Sequence, residues 1–345
     1  VPLYLKQHSY GEFVFDWSWA GAAARAGEAY YPKLVAFAPY TPVTGRRLLT
    51  RPDVETGAVW SSLRDGIRAV ADEEDASSVH VLFCTREERD FLCGGDGPPL
   101  APRHPVPPDE AFLARLGLQF HWHNRPEAPF ASFEDFLETF RAPNRKQVRK
   151  ERRVAREHGL DFAVRAGPDL GDAEWDALAT FYETTIEKHG SSAYLTPAFF
   201  RLLRETYAHR VVASFAYRAG RPVAGTLNFE KGRALFGRYW GCLPDEERPM
   251  LHFELCYYQL IERAIARGAV RFEAGAQGEH KLKRGLGPSP TYSAHWLRHA
   301  GLRRAVAAFL VRERALVQNE ITAYEAHTPF RRDEPGERGS SDDGA

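Results

Sequence analysis

The sequence is poor in the residues that build disulfide-stapled or membrane-spanning proteins. Four cysteines (Cys84, Cys93, Cys242, Cys256) stand among 345 residues, and no two have C-x-x-C spacing. That is too few for a disulfide framework in a chain of this length, and it points to a reducing, cytoplasmic setting. No apolar run approaches the ~20 residues that span a bilayer. No charged-then-apolar leader opens the chain. Neither sign of charge dominates, because Lys plus Arg and Asp plus Glu number 46 each. This balance excludes a globally basic nucleic-acid binder and an acidic solvating chain, and leaves local patches open. G-x-S-x-G, P-loop and G-x-G-x-x-G motifs are missing, so serine hydrolases and nucleotide-binding α/β enzymes lose their usual support. The single methionine is Met250 and the first residue is Val1. Val1-Pro2-Leu3-Tyr4-Leu5-Lys6 reads as the interior of a strand, so the true start is expected upstream.

What is present suits a globular chain with a sizeable core: 43% hydrophobic and 27% charged residues. At ~150 residues per domain, the length suggests about two domains. Residues 1–6 and 12–19 read as two strands joined at Ser9-Tyr10-Gly11. Further strands are expected at 34–38, 79–84 and 118–123, with helices at 59–71 and 86–92 and a Gly/Pro-rich loop at 94–108. A helix over 133–140 is expected to be interrupted by Pro143 and restarted by Asn144, with Gln147 completing a capping box and Gly159 ending it. Helices at 172–188 and 197–207 precede strands at 211–218, 222–230 and 233–241, a helix at 251–267 and a strand at 269–274. The segment from Thr328 is charged and Gly/Ser-rich, and is expected to be disordered. The first two strands and the pair 223–227 and 235–241 share an aromatic-ended hairpin pattern, which suggests two copies of one α/β unit.

Two polar clusters flank the strand at 269–274. His252 and Glu254 fall in the first turn of the 251–267 helix, where unpaired N–H groups favour anionic ligand groups. Gly275-Ala276-Gln277-Gly278-Glu279-His280-Lys281-Leu282-Lys283-Arg284-Gly285 follows the strand directly, the place where α/β folds put ligand contacts. Upstream, Arg145, Arg149, Arg152 and Arg156 step by four, three and four along one helix face, broadened by Lys146, Lys150 and Arg153. Such a ridge suits a polyanion such as an RNA backbone, or pairs with acidic neighbours as a solvated face. His121-x-His123 has no third ligand at local spacing, and a set of His252, Glu254 and His280 would be opposed by the basic residues beside it, so no metal is expected.

Gly237-Arg238-Tyr239-Trp240-Gly241, Leu251-His252-Phe253-Glu254-Leu255-Cys256-Tyr257-Tyr258-Gln259 and the run Gly275 to Gly285 together resemble the FemAB-like family of bacterial proteins, named for peptidoglycan biosynthesis or recognition. That family is similar to the N-acyltransferase (GNAT) superfamily. Gln7-His8-Ser9-Tyr10-Gly11-Glu12-Phe13-Val14-Phe15-Asp16-Trp17, Tyr30-Tyr31-Pro32-Lys33-Leu34 and Thr41-Pro42-Val43-Thr44-Gly45 match its wording too, so the resemblance covers roughly residues 1–300. It implies an α/β (α+β) fold of two tandem GNAT-like subdomains with mixed central sheets. The expected boundaries are 1–130 for the first subdomain, 131–160 for a connecting basic helix, 161–327 for the second subdomain and 328–345 for the tail.

Fem-type relatives transfer an amino acid from aminoacyl-tRNA to an amine on a cell-wall precursor, and ordinary GNAT relatives use acyl-CoA. The expected function is therefore an N-acyltransferase or aminoacyltransferase with an amine acceptor, its acyl donor a co-substrate and no cofactor tightly bound. Alternatives are a non-catalytic GNAT-like protein that recognises peptidoglycan or a polyanion, and an acyl-CoA-dependent N-acetyltransferase. Against the last, the segment Cys242 to Met250 has no glycine, two prolines and three acidic residues, where acyl-CoA enzymes carry a glycine-rich pyrophosphate loop. Acyl transfer to an amine needs a proton acceptor, oxyanion stabilisation and leaving-group protonation. Glu254, Glu279 and His280 are the candidate acceptors and Tyr239 the candidate donor to the leaving group. Arg238, His252, Gln277, Lys281, Lys283 and Arg284 are candidate substrate contacts.

Overall fold

The computed structural model describes residues 1–94, 111–188, 190, 192–276 and 278–331. Most of the expected 94–108 loop and of the 328–345 tail lies outside the described residues. The chain forms two compact units, neither continuous in sequence. Unit 1 comprises Val1–His121, Glu273–Glu279 and Gly287–Ala326; unit 2 comprises Trp122–Phe272, His280–Leu286 and His327–Ala345. The expected boundaries at 130 and 160 do not coincide with this division. The basic helix belongs to unit 2, and residues 287–326, assigned by sequence to the second subdomain, belong to unit 1. Elements are numbered along the chain.

Unit 1 contains β1 (Leu3–Lys6), α1 (Trp17–Arg25), β2 (Lys33–Ala36), α2 (Thr56–Glu73), β3 (Ser78–Cys84), α3 (Arg86–Leu92), β4 (Leu113–His123), β10 (Gly287–Leu297) and α10 (Ala300–Ala326). Its strands run in the order β1-β2-β3-β10-β4. β2 and β3 are parallel, and β10 lies antiparallel between β3 and β4, so the sheet is mixed. Leu34, Val79 and Val81 on one face pack with Trp60, Ile67 and Ala71 of α2 and with Ala294 and Trp296 of β10. Trp60, Ile67 and Ala71 recur at seven- and four-residue steps along one helix face, with Leu63 and Val70 packed against the same core. A capping box of Thr85 and Glu88 starts α3, and the buried Glu88 carboxylate also accepts the N–H groups of Arg47 and Leu48 at 2.7 and 2.6 Å.

The expected strand over 12–19 is instead a loop leading into α1. Five small residues, Ala20 to Ala24, supply four alanines, the best helix formers, and outweigh the aromatic run before them. With that strand gone, the proposed first hairpin and the repeat built on it do not stand. β10 and the 27-residue α10 are not among the elements expected from the sequence. β10 accommodates Pro288 and Pro290 opposite Phe120 and Leu118 of β4.

Unit 2 opens with α4 (Phe133–Glu138) and α5 (Ala142–Arg156), followed by β5 (Asp161–Ala166), α6 (Asp172–Lys188), α7 (Pro197–Tyr207), β6 (Val211–Arg218), β7 (Arg221–Lys231) and β8 (Ala234–Cys242). Next come α8 (Leu251–Phe253), a π-helical turn at Glu254–Tyr258, α9 (Gln259–Ala266) and β9 (Arg271–Glu273). The strand order is β9-β8-β7-β6-β5, with antiparallel β5 to β8. Pro143 does not interrupt a helix. It sits in the first turn of α5, where a missing N–H costs nothing. Asn144 is therefore inside the helix, and Gln147 donates to Glu151 at 3.0 Å instead of capping. Gly241 is required where α6 crosses β8, since a Cβ there would meet the Phe181 carbonyl oxygen at 1.9 Å.

Candidate functional site

The sequence-predicted residues of unit 2 fall into three groups. The first is a buried clamp. Glu254 in the π-helical turn has no exposed surface. Its oxygens accept from Arg152 Nε at 3.1 and 3.3 Å, from Arg152 Nη2 at 2.9 Å and from Gln259 at 2.8 Å. Arg152 also bonds Glu262 and lies 4.5 Å above the Phe133 ring. Arg284 mirrors it: bonded to Glu151 at 3.0 and 2.9 Å and to the His280 carbonyl at 2.6 Å, it covers the Phe253 ring at 3.4 Å. Tyr258 donates to Glu151 as well. Adjacent residues of α5 with opposite charges thus grip the π-helical turn and the Glu279–Arg284 turn. Glu254 is not open to a substrate as a proton acceptor, and neither Arg152 nor Arg284 is a free anion clamp. Both corrections have one cause: a buried charge must be paired, and these pair with each other.

The second group is a cluster of proton-carrying side chains. The Tyr257 hydroxyl and His280 Nε2 are 2.9 Å apart. Phe253 lies 5.7 Å and His252 6.4 Å from the His280 ring, centroid to centroid, and Trp240 lies 5.2 Å from His252. Burial first, then the charges of His280, Arg284 and Lys281, lower His252 to about 4, so its imidazole is neutral at pH 7. His280, on the exposed side of the cluster, is lowered by partial burial and by Arg284 and Lys281. Lys281 is 3% exposed, and burial brings its ammonium down to about 8. Burial pushes Tyr257 up, so it keeps its proton. This arrangement can accept a proton at neutral pH and hold a positive charge beside the acceptor.

Tyr239 does not join that cluster. Alternation along β8 sends Trp240 toward Leu251 and Leu255 and Tyr239 to the opposite face, 5.1 Å from the Tyr182 ring. Arg238 is the extra residue of a β-bulge, since Asn228 pairs with Gly237 and Leu227 with Tyr239. Its guanidinium follows the Tyr239 ring at 4.9 Å. Glu279 lies in unit 1 and is exposed. Lys283 is exposed, and Gln277 is outside the described residues.

The third group is the ridge of α5. With Arg152 turned inward, Arg149 and Arg156 are exposed together with Lys146, Lys150 and Arg153, and Arg145 is half-buried. Arg149 pairs with Glu134, and Arg153 with Glu157 at 3.5 Å. Arg149, Arg153 and Arg156 edge a groove of about 670 Å³ floored by Phe133 and Leu137.

Between β8 and α8, two of the three acidic residues are engaged: Glu246 by Arg218 at 2.7 and 2.8 Å, and Glu247 by Lys188 at 2.6 and 2.7 Å. The Thr185 and Thr184 hydroxyls donate to the Trp240 and Cys242 carbonyls at 2.7 and 3.0 Å.

Unit 1 holds a polar core that the sequence reading missed. Lys33, with no exposed surface, donates to Ser9 at 2.7 Å, Glu12 at 2.9 Å and Asp16 at 2.6 Å, and Tyr30 donates to Asp16 at 2.7 Å. Across β3 and β10, His80 and His295 face each other with Nδ1 atoms 2.7 Å apart, each with Nε2 at 2.8 Å from a serine, Ser78 or Ser293. The signal was present as two Ser-x-His triplets, a spacing that puts both side chains on one strand face. His121 hydrogen-bonds Gln119 at 3.0 Å. Among the described residues no group of three or more His, Cys, Asp or Glu is arranged to hold a metal, and no helix is long and apolar enough to cross a membrane.

The family model of FemAB-like proteins, described as peptidoglycan biosynthesis/recognition, matches residues 1–332. No curated protein matches. Among solved structures, the C-terminal domain of a protein described as a lysylphosphatidylglycerol synthetase from Agrobacterium fabrum is similar, with TM-score 0.50 and 11% identity over 74% of this chain and 77% of that one. L-PGS from Bacillus licheniformis gives TM-score 0.47 and 12% identity over 72% and 76%. FemX gives 0.44 and 11% over 75% and 85%. At such identities the likeness is one of fold.

Proposed function

The chain belongs to the FemAB-like family, and from that premise we propose that it transfers an acyl or aminoacyl group to an amine on a cell-wall precursor. The observation that carries this reading is the Tyr257–His280 pair beside the buried Lys281. In the proposed step the acceptor nitrogen attacks the donor's acyl carbon and its proton passes to His280. The bond to the donor's leaving oxygen or sulfur then breaks, and that atom takes the proton back. His280 suits this task because its lowered affinity leaves it unprotonated at neutral pH. Lys281 and Lys283 supply positive charge for an anionic substrate group.

An aminoacyl-tRNA donor is favoured over acyl-CoA. Pro244 and Pro249 lack N–H groups where a pyrophosphate would be cradled. The α5 ridge offers an RNA backbone a row of cations. A cytoplasmic setting fits both co-substrates. The engagement of Glu254 and the turning away of Tyr239 favour a second reading, a binding protein without turnover.

One experiment separates them: the protein is incubated with charged tRNA or with acyl-CoA in the presence of an amine acceptor, and donor consumption is followed. His280→Ala is expected to lower turnover by about 100-fold or more while ligand affinity stays within about tenfold. No consumption of any donor, with affinity itself falling in the variant, supports the binding protein. A thermal shift with ~1 mM CoA would restore the acyl-CoA enzyme.

A further inference from the structure

A cavity of about 250 Å³ lies within unit 1, over the face of the sheet that carries the odd-numbered residues of β4 and β10. It has no part in the transfer reading above. Its floor is polar although buried: Gln119 pairs with Ser289, Gly117 with Thr291 and Arg115 with Ser293 across the two strands. Gln119 and Ser293 have internal partners in the Pro42 carbonyl and His295. Thr291 differs. It is 6% exposed and lines the cavity, and its hydroxyl makes no hydrogen bond among the described residues. That hydroxyl opens on the cavity, where a ligand oxygen can take the place of water.

The walls are aromatic. Phe13 and Phe83 both line the cavity, and both hold left-handed backbone, with φ of 57° and 49°. Bulky residues avoid that region, and where surroundings enforce it the strain gathers at ligand sites. Phe15, 52% exposed, is a third aromatic lining residue. The cavity has no net charge to offer. Arg115 is bonded to Glu313 at 2.8 and 2.7 Å and to the Phe15 carbonyl at 2.8 Å.

From the Thr291 hydroxyl that lines it, the aromatic walls and the internally neutralised Arg115, we propose that this cavity binds a single uncharged sugar ring. A pyranose presents hydroxyls along its rim and C–H groups on its faces, so it meets both the polar floor and the aromatic walls. A phosphate or a peptide carboxylate would bring charge into a site whose only cation is already paired.

The test is a titration of the full chain with N-acetylglucosamine and glucose, followed by calorimetry and ligand-observed NMR, with inorganic phosphate and D-alanyl-D-alanine as charged counter-probes. The expected result is saturable one-site binding of a sugar. Thr291→Val is expected to weaken it about fivefold, Thr291→Ser to preserve it, and neither to lower Tm, because the hydroxyl has no internal partner to lose. Three results would overturn the proposal: no saturable sugar binding, equal affinity in Thr291→Val, or binding of the charged probes alone. His280→Ala is expected to bind the sugar like the parent, so this proposal and the transfer reading fail separately.

Discussion

Glu254 shows how one side chain changes meaning between sequence and structure. At the start of a helix, near a polar turn, it has the character of a catalytic base. Folded, it is sealed from solvent and shared by Arg152 and Gln259. Removing one member of a buried ion pair leaves the other charge unmet, so Glu254→Ala is expected to cost about 3–5 kcal/mol, read from the shift in urea midpoint. Turnover of the variant under conditions where it remains folded should stay near that of the parent. A loss of activity with an unchanged midpoint would return Glu254 to catalysis. His280 could be singled out from sequence because a histidine between charged residues after a strand is hard to place in a core. Its Tyr257 partner could not, since a tyrosine inside an apolar helix is indistinguishable from ordinary packing.

Among the elements, α5 carries the most information. Its arginine stripe was legible from four- and three-residue steps, and its exposed part survives folding. Periodicity alone could not show that Arg152 faces inward, because the stripe is wide and Glu254 and Glu262 are about a hundred positions away. Phosphate contacts release counterions, so the ridge makes a salt-dependent prediction. Arg149→Gln with Arg156→Gln is expected to weaken tRNA binding and to flatten the slope of log affinity against log salt by about two, measured by filter binding. An unchanged slope would leave α5 a solvated face. The loop before α1 teaches the opposite lesson. Its aromatic run reads as a strand, yet Asp16, which precedes the helix, gives its side chain to Lys33 and Tyr30. A long-range polar network thus fixes the chain path there.

For the molecule as a whole, the two units differ in what they bury. Unit 1 encloses His80 and His295, both held well below the ordinary histidine value. Burial is the chief cause for each, joined by Lys33 and Arg115 for His80 and by His80 and Arg115 for His295. A base whose folded affinity for protons is depressed gains them on unfolding. Stability is therefore expected to fall as pH drops below about 6.5, by up to about 1.4 kcal/mol per pH unit for each imidazole. On lowering the pH to 5, hydrogen-exchange protection relative to the unfolded chain should fall in β3 and β10 before β6 and β7, and a uniform fall would refute this. The α/β class, most of the elements, the family resemblance and the neighbourhood of His280 were legible along the chain, because these follow from local periodicity and contiguous motifs. The tertiary structure alone decided which charges are spent on one another, which face of β8 each aromatic takes, and that unit 1 recruits residues 287–326. Those outcomes depend on pairings between residues far apart in the chain, and no local pattern encodes them.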